Sequence, residues 1–133
     1  MLSRRESREI VFGMVHELEY NREYDTAEIY ENAIIEREIE ENEYIKSTFF
    51  GVSEKLSEID SLIAEKSEGW NLDRISKVSR AAMRLCIYEM KWTDVPYNIA
   101  INEAIEIVKK YDDIKAKGFV NGILNAIAKD IEK

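Results

Sequence analysis

The chain has 133 residues, 45% of them hydrophobic and 35% charged, with one proline, five glycines and one cysteine. That composition excludes a disordered chain, and no apolar run approaches the roughly 18 residues of a membrane span. The net charge of −8 argues against nonspecific polyanion binding over the whole surface. The acidity is local, however. Residues 20–68 carry 14 acidic and 5 basic residues, whereas residues 69–133 carry 11 basic and 9 acidic ones. Arg4, Arg5 and Arg8 add a basic N-terminus.

Helical periodicity runs through the chain and no alternating strand pattern stands out. Val11, Met14, Val15 and Leu18 predict an apolar stripe on a first helix over about 4–20. Asp25 and Glu28 form a capping box for a second helix reaching about Glu41, with Tyr30, Ile34, Ile35 and Ile39 inward. Ile45, Phe49, Val52, Leu56, Ile59 and Ile63 predict a heptad-like seam on one long helix, about 43–67. A boundary falls at 67–71, where Gly69 can end a helix and Asn71 can cap the next. After a turn through Ile75, a helix of about 78–92 turns Ala82, Leu85, Cys86 and Met90 inward. Pro96 suits a first helical turn. The run after it buries Ile101, Ala104, Ile105 and Val108 and pairs Glu106 with Lys110. A last helix of about 118–131 buries Val120, Ile123, Leu124, Ile127 and Ile131. The expectation is an all-α chain of six or seven helices in two halves meeting near residue 70.

Catalytic motifs are absent: no phosphate-binding glycine loop, no zinc-binding His/Cys set and no nucleophile with a base. Cys86 sits in an apolar helical pattern and reads as a structural thiol, and His16 as a packing residue. The run Glu36, Glu38, Glu40, Glu41 and Glu43 reads as a solvated face. Met1 to Arg8 lacks an apolar signal core, and a cytoplasmic location is expected. Two segments could meet a polyanion. Arg4, Arg5 and Arg8 share one side of the first helical turns, and arginine forks suit phosphate. The segment from Lys115 to Gly122 joins lysines, Phe119 and Asn121 at a helix start. Its amides can bind an anion, Phe119 can stack on a base and Asn121 can read a base edge. By itself it better suits a packed helix start, with Gly118 and Gly122 allowing close helix contact.

Three stretches in order carry a family resemblance. They are Arg4 to Glu9; Ser79 to Met90 leading into Asp94-Val95-Pro96-Tyr97-Asn98-Ile99-Ala100-Ile101-Asn102-Glu103-Ala104; and Phe119-Val120-Asn121-Gly122-Ile123-Leu124. Together they resemble the NusB family of transcription antitermination factors. The resemblance covers essentially the whole chain and is weakest over residues 20–68. It implies two packed three-helix bundles in one domain, about 1–68 and 69–133, and no catalysis or cofactor. It implies binding of boxA RNA from nascent ribosomal transcripts with a NusE-type small-subunit ribosomal protein, within an RNA polymerase antitermination complex. Carried over residue by residue, Arg4, Arg5 and Arg8 match the arginine motif, and Phe119 and Asn121 match the RNA-side end of the second motif. Gly13, His16 and Gly118 depart from the family pattern. Gly118 stands at the basic position before the Phe, with Lys117 one residue earlier, so the RNA contact expected there is shifted or weaker. The rival reading is a helical interaction module or homodimer without RNA binding.

Overall fold

In the computed structural model, which describes residues 1–20, 25–67 and 72–132, the chain is all-helical among the described residues. Among those residues seven α-helices follow in order: α1 (Arg4–Glu17), α2 (Thr26–Glu36), α3 (Glu43–Glu54), α4 (Leu56–Lys66), α5 (Lys77–Trp92), α6 (Tyr97–Tyr111) and α7 (Ala116–Ile131). A single 3-10 turn, Leu72–Arg74, precedes α5. The expected boundary at Glu68 to Asn71 lies outside the described residues.

Local chemistry sets the helix starts. Ser3 opens α1 with a capping box, its Oγ accepting from Glu6 N at 3.0 Å while Ser3 N donates to Glu6 Oε1 at 2.8 Å. Asp25 and Glu28 form the box expected at α2. Asn42 Oδ1 accepts from Ile45 N at α3, and Ser76 Oγ from Ser79 N at α5. Pro96 occupies the cap of α6, one residue before its first turn, where its missing N–H costs nothing.

Three helix readings need correction. α2 ends at Glu36, not near Glu41. Glu38 takes a left-handed φ of 50°, Glu38 N donates to Ile35 O and Ile39 N to Ile34 O. That is a Schellman stop made without glycine. It leaves Ile35 exposed, while Ile29, Tyr30 and Ala33 form the buried face. The long helix expected at 43–67 is two, because Lys55 relaxes to φ −98° and ψ 10° and redirects the chain. α7 starts two residues before the expected 118.

α1, α2 and α3 pack on one another, as do α5, α6 and α7, and α1 and α3 join the two groups through α5. The bend at Lys55 swings α4 onto α5 and α7. The expected seam residues Ile45, Phe49, Val52, Ile59 and Ile63 are fully buried, and only Leu56 is half-exposed. α5 is the axis and is buried on nearly every face, including Arg80, Arg84 and Glu89. Gly51 lets α3 approach it: a Cβ there would lie 2.3 Å from the Tyr88 ring. Cys86 is buried, and burial pushes its thiol well above the ordinary range, as expected of a structural cysteine.

Candidate nucleic-acid interface

The first turns of α1 hold the three arginines, and the fold separates them. Arg4 is exposed, with its guanidinium 4.1 Å from the centre of the Tyr44 ring on α3. Arg5 keeps 70% of its side chain exposed and grips Glu103 of α6, with Nε and Nη2 donating at 3.1 and 2.8 Å. Arg8 goes inside. Its side chain is only 7% exposed, and its Nε and Nη2 donate to the two oxygens of Glu89 on α5 at 2.9 and 3.0 Å. Glu103 lies 3.5 Å from its third nitrogen, and Tyr44 Oη donates to Glu89 Oε2 at 2.9 Å.

Arg8 is therefore not part of an exposed cluster with Arg4 and Arg5, as residue type and spacing suggest. The helix period explains it: Arg8 precedes Val11 by three residues and Val15 by seven, so it stands on the apolar stripe itself. A buried guanidinium needs a fully hydrogen-bonded partner, and Glu89 supplies both oxygens. Burial pulls the pKa of Arg8 down, but the hydrogen bonds and charge of Glu89 outweigh it and hold it above its ordinary value. Burial, then the charge of Glu89, pushes the Tyr44 phenol up, so it stays a neutral donor. The hydrogen bond from Arg5 holds the Glu103 carboxyl below its ordinary range despite burial.

The second cluster lies at the start of α7. Val120 is the inward anchor, fully buried, while Lys117, Gly118, Asn121 and Gly122 are exposed. Phe119 is 37% exposed, high for a large apolar ring. A Cβ on Gly118 or Gly122 would meet nothing within 4 Å, so these glycines do not serve helix packing, contrary to one reading of the sequence. Phe119 borders a groove with Lys66 and Ser67 at the end of α4, and Asn121 borders another with Asn98 and Asn102 of α6. α6 lies between the two clusters: Glu103 receives Arg5, while neighbouring Asn102 lines the groove that holds Lys117 and Asn121.

Tyr44, Glu89 and Glu103 escaped the sequence reading. Glu89 carried a signal, a carboxylate on the apolar face between Cys86 and Met90. Lys109 and Lys110 were also missed as neighbours of Arg5, lining a cleft between α1 and α6. Lys110 pairs with Glu9 at 2.8 Å and Lys109 with Glu106 at 3.1 Å, in place of the expected Glu106–Lys110 pair. His16 is half-buried between Phe12 and Tyr20, a packing residue, and burial lowers its pKa. Among the described residues no cluster of three metal-ligating side chains occurs, and no helix is long and apolar enough to cross a membrane.

The NusB family model matches residues 5–129. A transcription antitermination protein NusB from Thermoanaerobacter sp. (strain X514) is 40% identical over 130 residues, covering 97% of this chain and 92% of that one. A solved structure of T. maritima NusB superposes with a TM-score of 0.85 at 37% identity, over 97% of this chain and 92% of that one. A structure of antitermination factors NusB and NusE in complex with dsRNA superposes with a TM-score of 0.85 at 28% identity, over 96% of each chain. With α1 to α7 matched over nearly its full length, the chain belongs to the NusB family.

Proposed function

We infer that this protein is a transcription antitermination factor, not an enzyme, that binds RNA together with a NusE-type small-subunit ribosomal protein. Its relatives carry the antitermination name, and one solved relative is held with NusE and RNA. The finer reading is a boxA-type single strand of a nascent ribosomal transcript, bound within the RNA polymerase complex and in the cytoplasm. Residues 1–133 act in it as one domain of packed helical bundles.

The observation that carries the RNA face is the exposure of Arg4 and Arg5 at one end of α1 and of Lys117, Phe119 and Asn121 at the start of α7. Cationic side chains hold phosphates, and a half-exposed ring offers a stacking face to an unpaired base. Arg8 supports this face indirectly, by fixing Glu89 and through it Tyr44 beneath Arg4. So few cations on an acidic protein bind RNA weakly alone. A partner bringing its own RNA surface raises the affinity by making the second contact intramolecular.

The test is a titration of a boxA-like strand with and without the NusE-type protein. The reading expects weak binding alone and much tighter binding with the partner. A homodimer that ignores the strand under both conditions would favour the interaction-module reading instead.

A further inference from the structure

We propose that the groove between α6 and α7 is a base-reading subsite, which takes the edge of one unpaired nucleobase of the bound RNA; this rests on the RNA-binding reading above. Asn98 and Asn102 of α6, one turn apart, share this groove with Asn121 and Asn125 of α7, also one turn apart. Ile101 and Ile105 lie between them as an apolar lining, in a space of about 380 Å³. Four amides in one groove supply donors and acceptors on both walls. Asn125 Nδ2 donates to the Asn121 backbone oxygen at 2.8 Å and to Asn121 Oδ1 at 3.0 Å. That leaves Asn121 Nδ2 and Asn125 Oδ1 for a ligand. Among the described residues, the side chains of Asn98 and Asn102 make no hydrogen bond.

Charge selects the ligand class. Among the described residues no acidic side chain lines this groove, although the chain has 27 of them, and the one charged lining residue is Lys117. By contrast, the cleft beside Arg5 contains Glu9, Glu103 and Glu106. A phosphate alone would favour cations over amides. A neutral heterocycle with paired donor and acceptor edges fits amides, because asparagine can bind a base edge through two hydrogen bonds. Lys117 sits where it can hold the adjoining phosphate, and open Gly118 leaves room for the ribose to approach. The strand would then pass from the Arg4 and Arg5 end across α6 and place one base between α6 and α7.

The test compares the wild-type chain with N102A/N125A, both surface changes that leave the core intact. Each is titrated, with the NusE-type partner, against a boxA-like strand and against copies carrying one abasic position in turn. Wild type should lose affinity roughly five- to a hundredfold at one abasic position. The variant should lose about as much on the intact strand and nothing further at that position, with an unchanged salt slope. Equal affinity of wild type and variant for the intact strand would overturn the subsite while leaving the RNA-binding reading intact. So would a variant whose salt slope falls, since that marks a phosphate contact. Failure of wild type to bind any strand would overturn the RNA-binding reading itself.

Discussion

Arg8 and Glu89, 81 residues apart in sequence, meet through two parallel hydrogen bonds of 2.9 and 3.0 Å inside the protein. The pair ties α1 to the central helix α5, and Tyr44 Oη adds α3 by donating to the same carboxylate. Removing one partner strands a buried charge, which costs about 3–5 kcal/mol, whereas replacing both with apolar residues of similar size is nearly neutral. Urea unfolding should therefore show Arg8→Met destabilised by about that amount and Arg8→Met/Glu89→Leu recovering most of it. A single Arg8→Met variant as stable as Arg4→Met would refute the pair's structural role.

Gly51 and Gly118 are opposite cases. At Gly51 a Cβ collides with the Tyr88 ring, so Gly51→Ala should lower stability by about 1–3 kcal/mol through overpacking. At Gly118 a Cβ has open space, so Gly118→Ala should raise stability by about 0.5–1 kcal/mol, the helix-propensity gain. Denaturant midpoints of the two variants should move in opposite directions.

The apolar stripes were legible because helix period and burial coincide: Val11, Met14, Val15 and the seam residues Ile45, Phe49, Val52, Ile59 and Ile63 are all buried. Where α2 stops was not legible, because the left-handed position falls on Glu38, a residue that carries no turn signal. The bend at Lys55 was equally silent, since the apolar spacing continues through it. At the candidate interface, residue type pointed to Arg4, Arg5, Lys117, Phe119 and Asn121, and the structure leaves all five at the surface. Arg8 looked like its neighbours by type, yet its register with Val11 and Val15 places it inside. Glu103 and Tyr44 come from helices distant in sequence, so only tertiary packing reveals them as partners of the arginines.

Gly118 also tests the departure from the family's basic position. Gly118→Lys places a cation on open surface beside Lys117. It should tighten RNA binding and steepen the dependence of log Kd on log salt by about 0.7, the value of one phosphate contact on a single strand. Fluorescence anisotropy at several salt concentrations measures both quantities.

Glu103 gives a pH signature. Its carboxyl titrates below the ordinary range because Arg5 donates to it. A depressed folded-state pKa contributes stability that is present above the unfolded value of about 4.3 and is lost as pH falls through the folded value. Wild type should hold its urea midpoint from pH 7 to about pH 5 and lose it below. Glu103→Gln should start lower at neutral pH and decline less on acidification. Parallel curves for the two proteins would contradict this assignment.

On the proposed function, Arg4 and Arg5 meet RNA phosphates while Arg8 holds the site together from inside. The most direct measurement is the slope of log Kd against log salt, with the NusE-type partner present, for wild type, Arg4→Ala/Arg5→Ala and Arg8→Met/Glu89→Leu. The slope should shrink by about 1.4 in the Arg4 and Arg5 variant, the value of two phosphates on a single strand, and stay unchanged in the Arg8 and Glu89 variant. A slope that is unchanged without Arg4 and Arg5, or that falls in the folded Arg8 and Glu89 variant, would contradict it.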